Sequence, residues 1–318
     1  MDGNGNQKPD CSANRCRLTA SASTLLILAC ASFGAATVNG ALGYGYSSIS
    51  VPVALFFVAG RILNPALVII EVAINFYALW WNRRAAGRVV RRVLPLVAGL
   101  VPGVIGGTLL LKHLEPSDIK LGAFVLLLPL ILVQAAGLRW PIRRERAAAL
   151  PLGAGVGILY GVTTISGPPL ALFWNNQGLA KDDFKLGLAV VRTVESVCAL
   201  TAYCLLGLVT RDSASLLPWL VPGVVIGFPI GHWLVGRIGA ETFRRVCMSF
   251  DAYLVALGLA RAVTERSVAS ASVAYLLLAF TFAIDSWLLY RFFRGRFFGG
   301  RFLPDRIHSP EHGPELQT

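Results

Sequence analysis

The 318 residues are 55% hydrophobic and only 14% charged, with a mean hydropathy of +0.63. Water-soluble domains carry about a quarter charged residues, so this balance excludes an ordinary globular protein. The net charge of +12 would suit a nucleic-acid binder, but the basic residues sit in short clusters between apolar runs. That is the pattern of cytoplasmic loops and not of a phosphate-binding face, and no nucleic-acid partner is expected.

In chain order, residues 1–20 form a polar tail. Cys11 and Cys16 could pair or bind metal there, but with no His or further Cys nearby a metal site is not expected. Arg15 and Arg17, ahead of an apolar stretch reaching Ala31, Ala35 and Ala36, look like a cleavable signal peptide. We expect the stretch to be retained, because it opens an internal repeat. From Leu18 to Gly60 run 43 residues without Asp, Glu, Lys or Arg, enough for two membrane spans or one broken one. This segment, A, at about 22–59, carries Gly34, Asn39, Gly40, Gly43, Gly45, Ser47, Ser48, Ser50 and Pro52. Three continuous helices are predicted after it: B at 64–82, C at 93–112 and D at 118–138. A basic linker over 139–146 leads to a second Gly-rich segment, A′, at 147–178, which includes Gly153, Gly155, Gly157, Gly161, Thr163, Thr164, Ser166, Gly167, Pro168 and Pro169. Helices B′ at 186–209, C′ at 215–236 and D′ at 242–262 follow, then an extra helix at 270–292 and a basic tail at 293–318. Cys30, Cys198, Cys204 and Cys247 read as small core residues. Trp80, Trp81, Trp140, Trp219 and Trp287, near span ends, read as interfacial anchors.

Three blocks recur in order. Ser50 to Phe56 matches Gly167 to Phe173 at a shift of 117; Val68 to Leu79 matches Ala189 to Leu200 at 121; Pro102-Gly103-xxx-Gly107 matches Pro222-Gly223-xxx-Gly227 at 120. The chain therefore reads as two repeats, 21–138 and 147–263. Arg83, Arg84, Arg88, Arg91 and Arg92, with Arg139, Arg143, Arg144 and Arg146, mark two cytoplasmic loops in the first half. In the second half the excess moves to the opposite loops, at Arg237, Arg244 and Arg245, and to the tail, at Arg291, Arg294, Arg296, Arg301 and Arg306. An inverted repeat follows if A and A′ each begin and end on one side. The fold class expected is thus an all-α polytopic membrane bundle with an inverted internal repeat, broken helices and one extra helix. The C-terminus is expected in the cytoplasm and the N-terminus outside.

Candidate chemistry lies at the interruptions. Pro168 and Pro169 suit the first turn of a restarting helix. A helix that restarts inside the membrane turns its free N–H groups and positive dipole end into the break, where an anion can be held. The candidate substrate-binding set is Asn39, Gly43, Gly45, Ser47, Ser48, Thr163, Thr164, Ser166, Gly167 and Arg192. Close helix packing is the alternative use of small residues, and it is the one expected for Gly103, Gly107, Gly223 and Gly227. Glu71 and Arg192 occupy equivalent repeat positions, and charges inside a membrane are functional candidates. Arg192 could bind an anion bidentately, with Glu71 or Glu195 taking up a coupling proton. The alternative is that one of these carboxylates simply neutralises Arg192. Asp251 and Asp285 lack matched partners and are weaker candidates, and His113 and His232 read as interfacial. The Gly40–Gly45 cluster lacks the strand and acidic ribose ligand of a dinucleotide loop. Walker, HExxH and GxSxG sequences are missing. No catalytic residue, metal or cofactor is expected.

The Gly-rich segment ending at Pro52, its second version ending in Ser166-Gly-Pro-Pro169, and the PG-xxx-G helix of each half resemble the sulfite exporter TauE/SafE family of membrane permeases over about residues 25–262. The resemblance implies a permease of the inner, cytoplasmic membrane for sulfite, a sulfonate or a related small organic anion, with membrane lipids and a small anionic substrate, with or without a co-transported proton, as its partners. Tyr44, Leu42 and the extra C-terminal helix depart from the family pattern. The competing reading is a non-transporting multi-pass protein, either an assembly factor or a membrane enzyme.

Overall fold

A computed structural model describes residues 22–82, 86–136, 144–177, 181–238, 240–267 and 270–298. Within them the chain forms α1 (Ala22–Leu42), α2 (Tyr46–Ala54), α3 (Gly60–Asn82), α4 (Ala86–His113), α5 (Pro116–Ala136), α6 (Glu145–Thr163), α7 (Gly167–Asn176), α8 (Lys181–Leu205), α9 (Arg211–Ile238), α10 (Ala240–Glu265) and α11 (Ala271–Phe298). Nine of these are long and apolar enough to cross a bilayer, while α2 and α7, at 9 and 10 residues, are half-spans. The protein is an all-α polytopic membrane bundle, and among the described residues there is no strand. Large apolar side chains such as Leu26, Phe76, Val225, Leu276 and Phe280 cover its outside, as lipid contact requires. Cys11, Cys16, Arg15, Arg17, Arg83, Arg84, Arg139, Trp140, Arg143, Arg301 and Arg306 lie outside the described residues.

Helix ends overrun the apolar windows where charges begin. Helix α4 starts at Ala86 and takes in Arg91 and Arg92, since Arg is a good helix former and the headgroup layer accepts its charge. Segment A′ is a broken helix, as expected, but its break is short. Gly153, Gly155, Gly157 and Gly161 all lie within continuous α6, and the interruptions shrink to Gly43–Gly45 and Thr164–Ser166. In lipid the backbone has no water to bond, so it stays helical across these glycines. Cys247 is buried, but Cys30 and Cys204 face outward rather than into the core.

Two glycine-lined pairs form the scaffold. Along α4, Gly99, Gly103 and Gly107 lie on the backbone of Leu150, Ala154 and Ile158 of α6, while Gly153, Gly157 and Gly161 return the contact to Leu96, Leu100 and Val104. Both residue numbers rise together, so α4 and α6 run parallel. Helices α1 and α9 repeat the arrangement: Gly223, Gly227 and Gly231 meet Ala29, Phe33 and Thr37. Two other pairs run antiparallel. Asp118 of α5 pairs with Arg266, the residue after α10, and Phe124 lies on Gly258 of α10. Asn64, early in α3, and Tyr203, late in α8, bond the successive α6 carbonyls of Val162 and Gly161 at 2.9 Å each. Farther along, Asn75 of α3 bonds the Arg192 carbonyl of α8 at 3.0 Å.

The short α2 turns back along the bundle. Tyr46, its first residue, reaches Ser32 in mid-α1 with its hydroxyl at 3.0 Å. Ser48 meets Asp251 and Phe56 lies 4.5 Å beneath the Arg261 guanidinium, so α2 runs with α10.

The packing makes a direct prediction. A Cβ at Gly103 would land on the Ala154 carbonyl, whereas one at Gly106 has nothing within 4 Å. Gly103→Ala should destabilise the protein by about 1–3 kcal/mol, the usual range for overpacking. Gly106→Ala should be neutral or slightly stabilising, because Ala is the better helix former. Thermal unfolding of the two variants in detergent checks this.

Candidate functional site

Both interruptions are built by residues in the left-handed region. At the first, Gly43 and Gly45 have φ of 81° and 106°, and Val38 crowds the Gly45 Cα, so a side chain there would be strained twice over. At the second, Thr164 itself adopts φ 60°, stabilised locally: Thr163 Oγ1 accepts from the Ile165 N–H at 3.2 Å and donates to the Leu159 carbonyl at 2.7 Å. Thr164 Oγ1 donates to the Thr163 carbonyl at 2.6 Å. The two breaks touch. A methyl group added to Gly167 would sit 3.1 Å from the Tyr44 ring and 3.6 Å from the Gly45 nitrogen.

Beside this junction α3 crosses α8, and here lie the buried charges. Arg192 is 1% exposed, and Glu71 and Glu195 are fully buried. Arg192 Nη2 donates to Glu71 Oε1 at 2.8 Å, and Glu71 Oε2 accepts from the Tyr160 hydroxyl at 2.6 Å. Glu195 Oε1 accepts from Ser166 and stands 3.8 Å from Arg192 Nε. Below the pair, Asn75 bonds the Arg192 carbonyl and, at 3.3 Å, Ser196 Oγ.

Glu71 therefore does neutralise Arg192, but the pair is not closed. Arg192 Nε and Nη1 and Glu195 Oε2 are buried with no hydrogen-bond partner. Buried polar groups are normally satisfied, above all in a low dielectric. A guanidinium with two nitrogens that make no hydrogen bond has donors left for an oxyanion.

Of the sequence-derived candidates, Gly43, Gly45, Ser47, Ser48, Thr163, Thr164, Ser166 and Gly167 gather at the junction with Arg192 beside it, and all but Gly43 are buried. Their roles diverge. The hydroxyls of Thr163 and Thr164 are spent on their own backbone, leaving Ser166 to reach the charge cluster. The Pro168–Pro169 pair removes two N–H groups from the start of α7, so backbone donors there are few. The first turn of α2 keeps those of Tyr46, Ser47 and Ser48, because its first helical bond is from the Ile49 N–H to the Gly45 carbonyl. Asn39 is buried in α1 with Nδ2 unpaired.

Sequence reasoning missed Tyr160, Asn75 and the contact of Asp251 with Ser48. Asn75 had a signal: it falls on Ser196 at the same shift of 121 that puts Glu71 on Arg192, a second matched polar pair one turn on. Tyr160 had none, since a single Tyr in an apolar helix is unremarked. Asp251 could be found only through the packing of α2 on α10.

Removing one member of a buried pair leaves an uncompensated charge, at a cost of about 3–5 kcal/mol. Arg192→Gln, which strips two carboxylates of their cation, should lose stability in that range. Adding Glu71→Gln should recover part of it. Melting temperatures of the single and double variants measure the difference.

Searches of curated proteins and of solved structures returned no match. The family model described as Sulfite exporter TauE/SafE matches residues 28–261, from within α1 through the greater part of α10, and leaves out α11. The chain belongs to the sulfite exporter TauE/SafE family and is a multi-pass membrane permease of that family, not an enzyme.

Proposed function

We propose that this permease carries sulfite, a small sulfonate or a related organic anion by alternating access, together with a proton, through a site where its two broken helices meet. The observation that carries the reading is the unsatisfied side of the buried cluster: Arg192 Nε and Nη1 and Glu195 Oε2 lack hydrogen-bond partners beside both breaks. A sulfur oxyanion offers several acceptor oxygens on a compact tetrahedral or pyramidal centre. It matches the guanidinium edge, the Ser166 hydroxyl and the free N–H groups of the first turn of α2.

Charge accounting links the anion to the proton. With Glu71 and Glu195 both ionised the cluster already carries one negative charge in excess of Arg192, so an incoming anion meets repulsion. Protonating Glu195 frees Ser166 and the Nε edge of Arg192 at once. Anion binding and proton uptake thus favour each other, and a monoanion moving with one proton is electrically neutral. Without the proton, export of an anion across an inside-negative membrane gains about 2.3 kcal/mol per charge per 100 mV.

Alternating access is supported by the helix directions. With α4 parallel to α6, α1 parallel to α9, α3 antiparallel to α8 and α5 antiparallel to α10, the packing pairs map onto one another when the halves are exchanged and reversed. An inverted repeat with A and A′ as re-entrant hairpins accounts for this, and such repeats supply two related conformations about one central site. The reading sets the Arg91 and Arg92 end of α4 and the Arg294 end of α11 on the cytoplasmic side of the inner membrane.

Proteoliposomes containing the purified protein test the proposal. Saturable sulfite or methanesulfonate flux, stimulated by an imposed pH gradient, is expected. Glu195→Gln should abolish the stimulation. Flux from folded protein that ignores the gradient would remove the proton, and absence of flux for both anions would remove the substrate class.

A further inference from the structure

Asp251, in the middle of α10, is 2% exposed and meets Ser48 in the first turn of α2. Its Oδ1 has no partner, and among the described residues it makes no ion pair. Ser48 has a single hydroxyl hydrogen, which is also directed at the Gly45 carbonyl at 3.2 Å, so the bond to Asp251 is contested. Among the described residues no cation pairs with it. On α10 itself Cys247 lies one turn away, while Arg244 and Arg245 stand nearer the start of the helix, with the Arg245 guanidinium over the Phe292 ring of α11. From α2 comes Tyr46, whose hydroxyl is engaged with Ser32 of α1. From α11 comes buried Asp285, an acid. Helix α5 places Gln134 at a similar depth, with both amide atoms buried and unpaired, while Asp118 is held by Arg266 at the far end. Helix α9 carries its charges, Arg211, Asp212 and Arg237, at its ends.

An acid thus sits at each break. Glu195 accepts from Ser166 at the second, and Asp251 accepts from Ser48 at the first. The second is counterbalanced by Arg192; the first has only the dipole and hydroxyl of α2. An ionised carboxylate buried without a cation is costly, and it occupies the donors that an anion at the start of α2 would need.

We propose that Asp251 is a second proton-binding site of the permease, whose ionised carboxylate stands in for the anion at the first break and whose protonation clears the first turn of α2 for substrate. The step is a simple proton addition: the carboxylate takes one proton from water, becomes a neutral carboxyl group, and ceases to compete for Ser48. The proposal rests on the transport reading above for its role, but the protonation itself does not.

Infrared difference spectra of the full-length protein in lipid nanodiscs, titrated across neutral pH without substrate, test the protonation. The wild type shows a carboxyl C=O band that bleaches as pH rises. Asp251→Asn loses that band, and Asp251→Glu restores it at a shifted frequency. An Asp251→Asn spectrum superimposable on the wild type overturns the proposal. In proteoliposomes in which the wild type shows gradient-stimulated sulfite flux, Asp251→Asn loses much of the stimulation; full stimulation overturns the coupling role. Wild-type protein without sulfite flux would sink the transport reading while leaving the infrared result to decide the proton site.

Discussion

An unpaired charge is costly in a hydrocarbon interior, and this chain holds a guanidinium at the crossing of α3 and α8. Much of the centre is arranged around that fact. Glu71 supplies the counter-charge from the other half of the molecule, Tyr160 fixes the second Glu71 oxygen, and Asn75 secures the α8 backbone beneath. The pair ties α3 to α8 at the place where the two halves meet, so a change in its charge state bears on both halves. Glu195, one turn from Arg192, then has an oxygen that the protein itself does not satisfy.

The scaffold solves a separate problem. Helices in lipid gain no hydrophobic driving force from burying Leu against Leu, so close backbone approach must supply the attraction. The α4/α6 and α1/α9 seams achieve this with glycines at four-residue spacing on both pairs. Each seam joins the leading helix of one broken segment to a helix of the opposite half. The breaks thus adjoin closely packed neighbours, and the half-spans α2 and α7 contact each other, with α2 also on α1, α3 and α10 and α7 on α5 and α8.

Much of this was legible in the residues. Runs without charge marked the spans, the Gly-Tyr-Gly cluster and the Ser-Gly-Pro-Pro element marked the breaks, and the alignment of Glu71 with Arg192 anticipated a central pair. What misled was glycine: the same residue marks a turn at Gly45, where φ is 106°, and a seam at Gly157, where a neighbouring backbone occupies the space. Composition cannot separate those uses, because the difference lies in the partner helix. The contact of Asp251 with Ser48 was hidden for a related reason. Asp251 has no counterpart in the other repeat, and the contact comes from α2 folding back beside α10, a long-range approach with no local pattern.

The central claim is that the anion and a proton bind together because protein carboxylates compete with the anion for the same donors. It is tested most directly by mixing weakly buffered, purified protein with sulfite and following pH with an indicator dye, corrected against protein-free buffer. The account predicts net proton uptake that saturates with sulfite and shrinks in Glu195→Gln. Saturable sulfite binding with no proton uptake would contradict it.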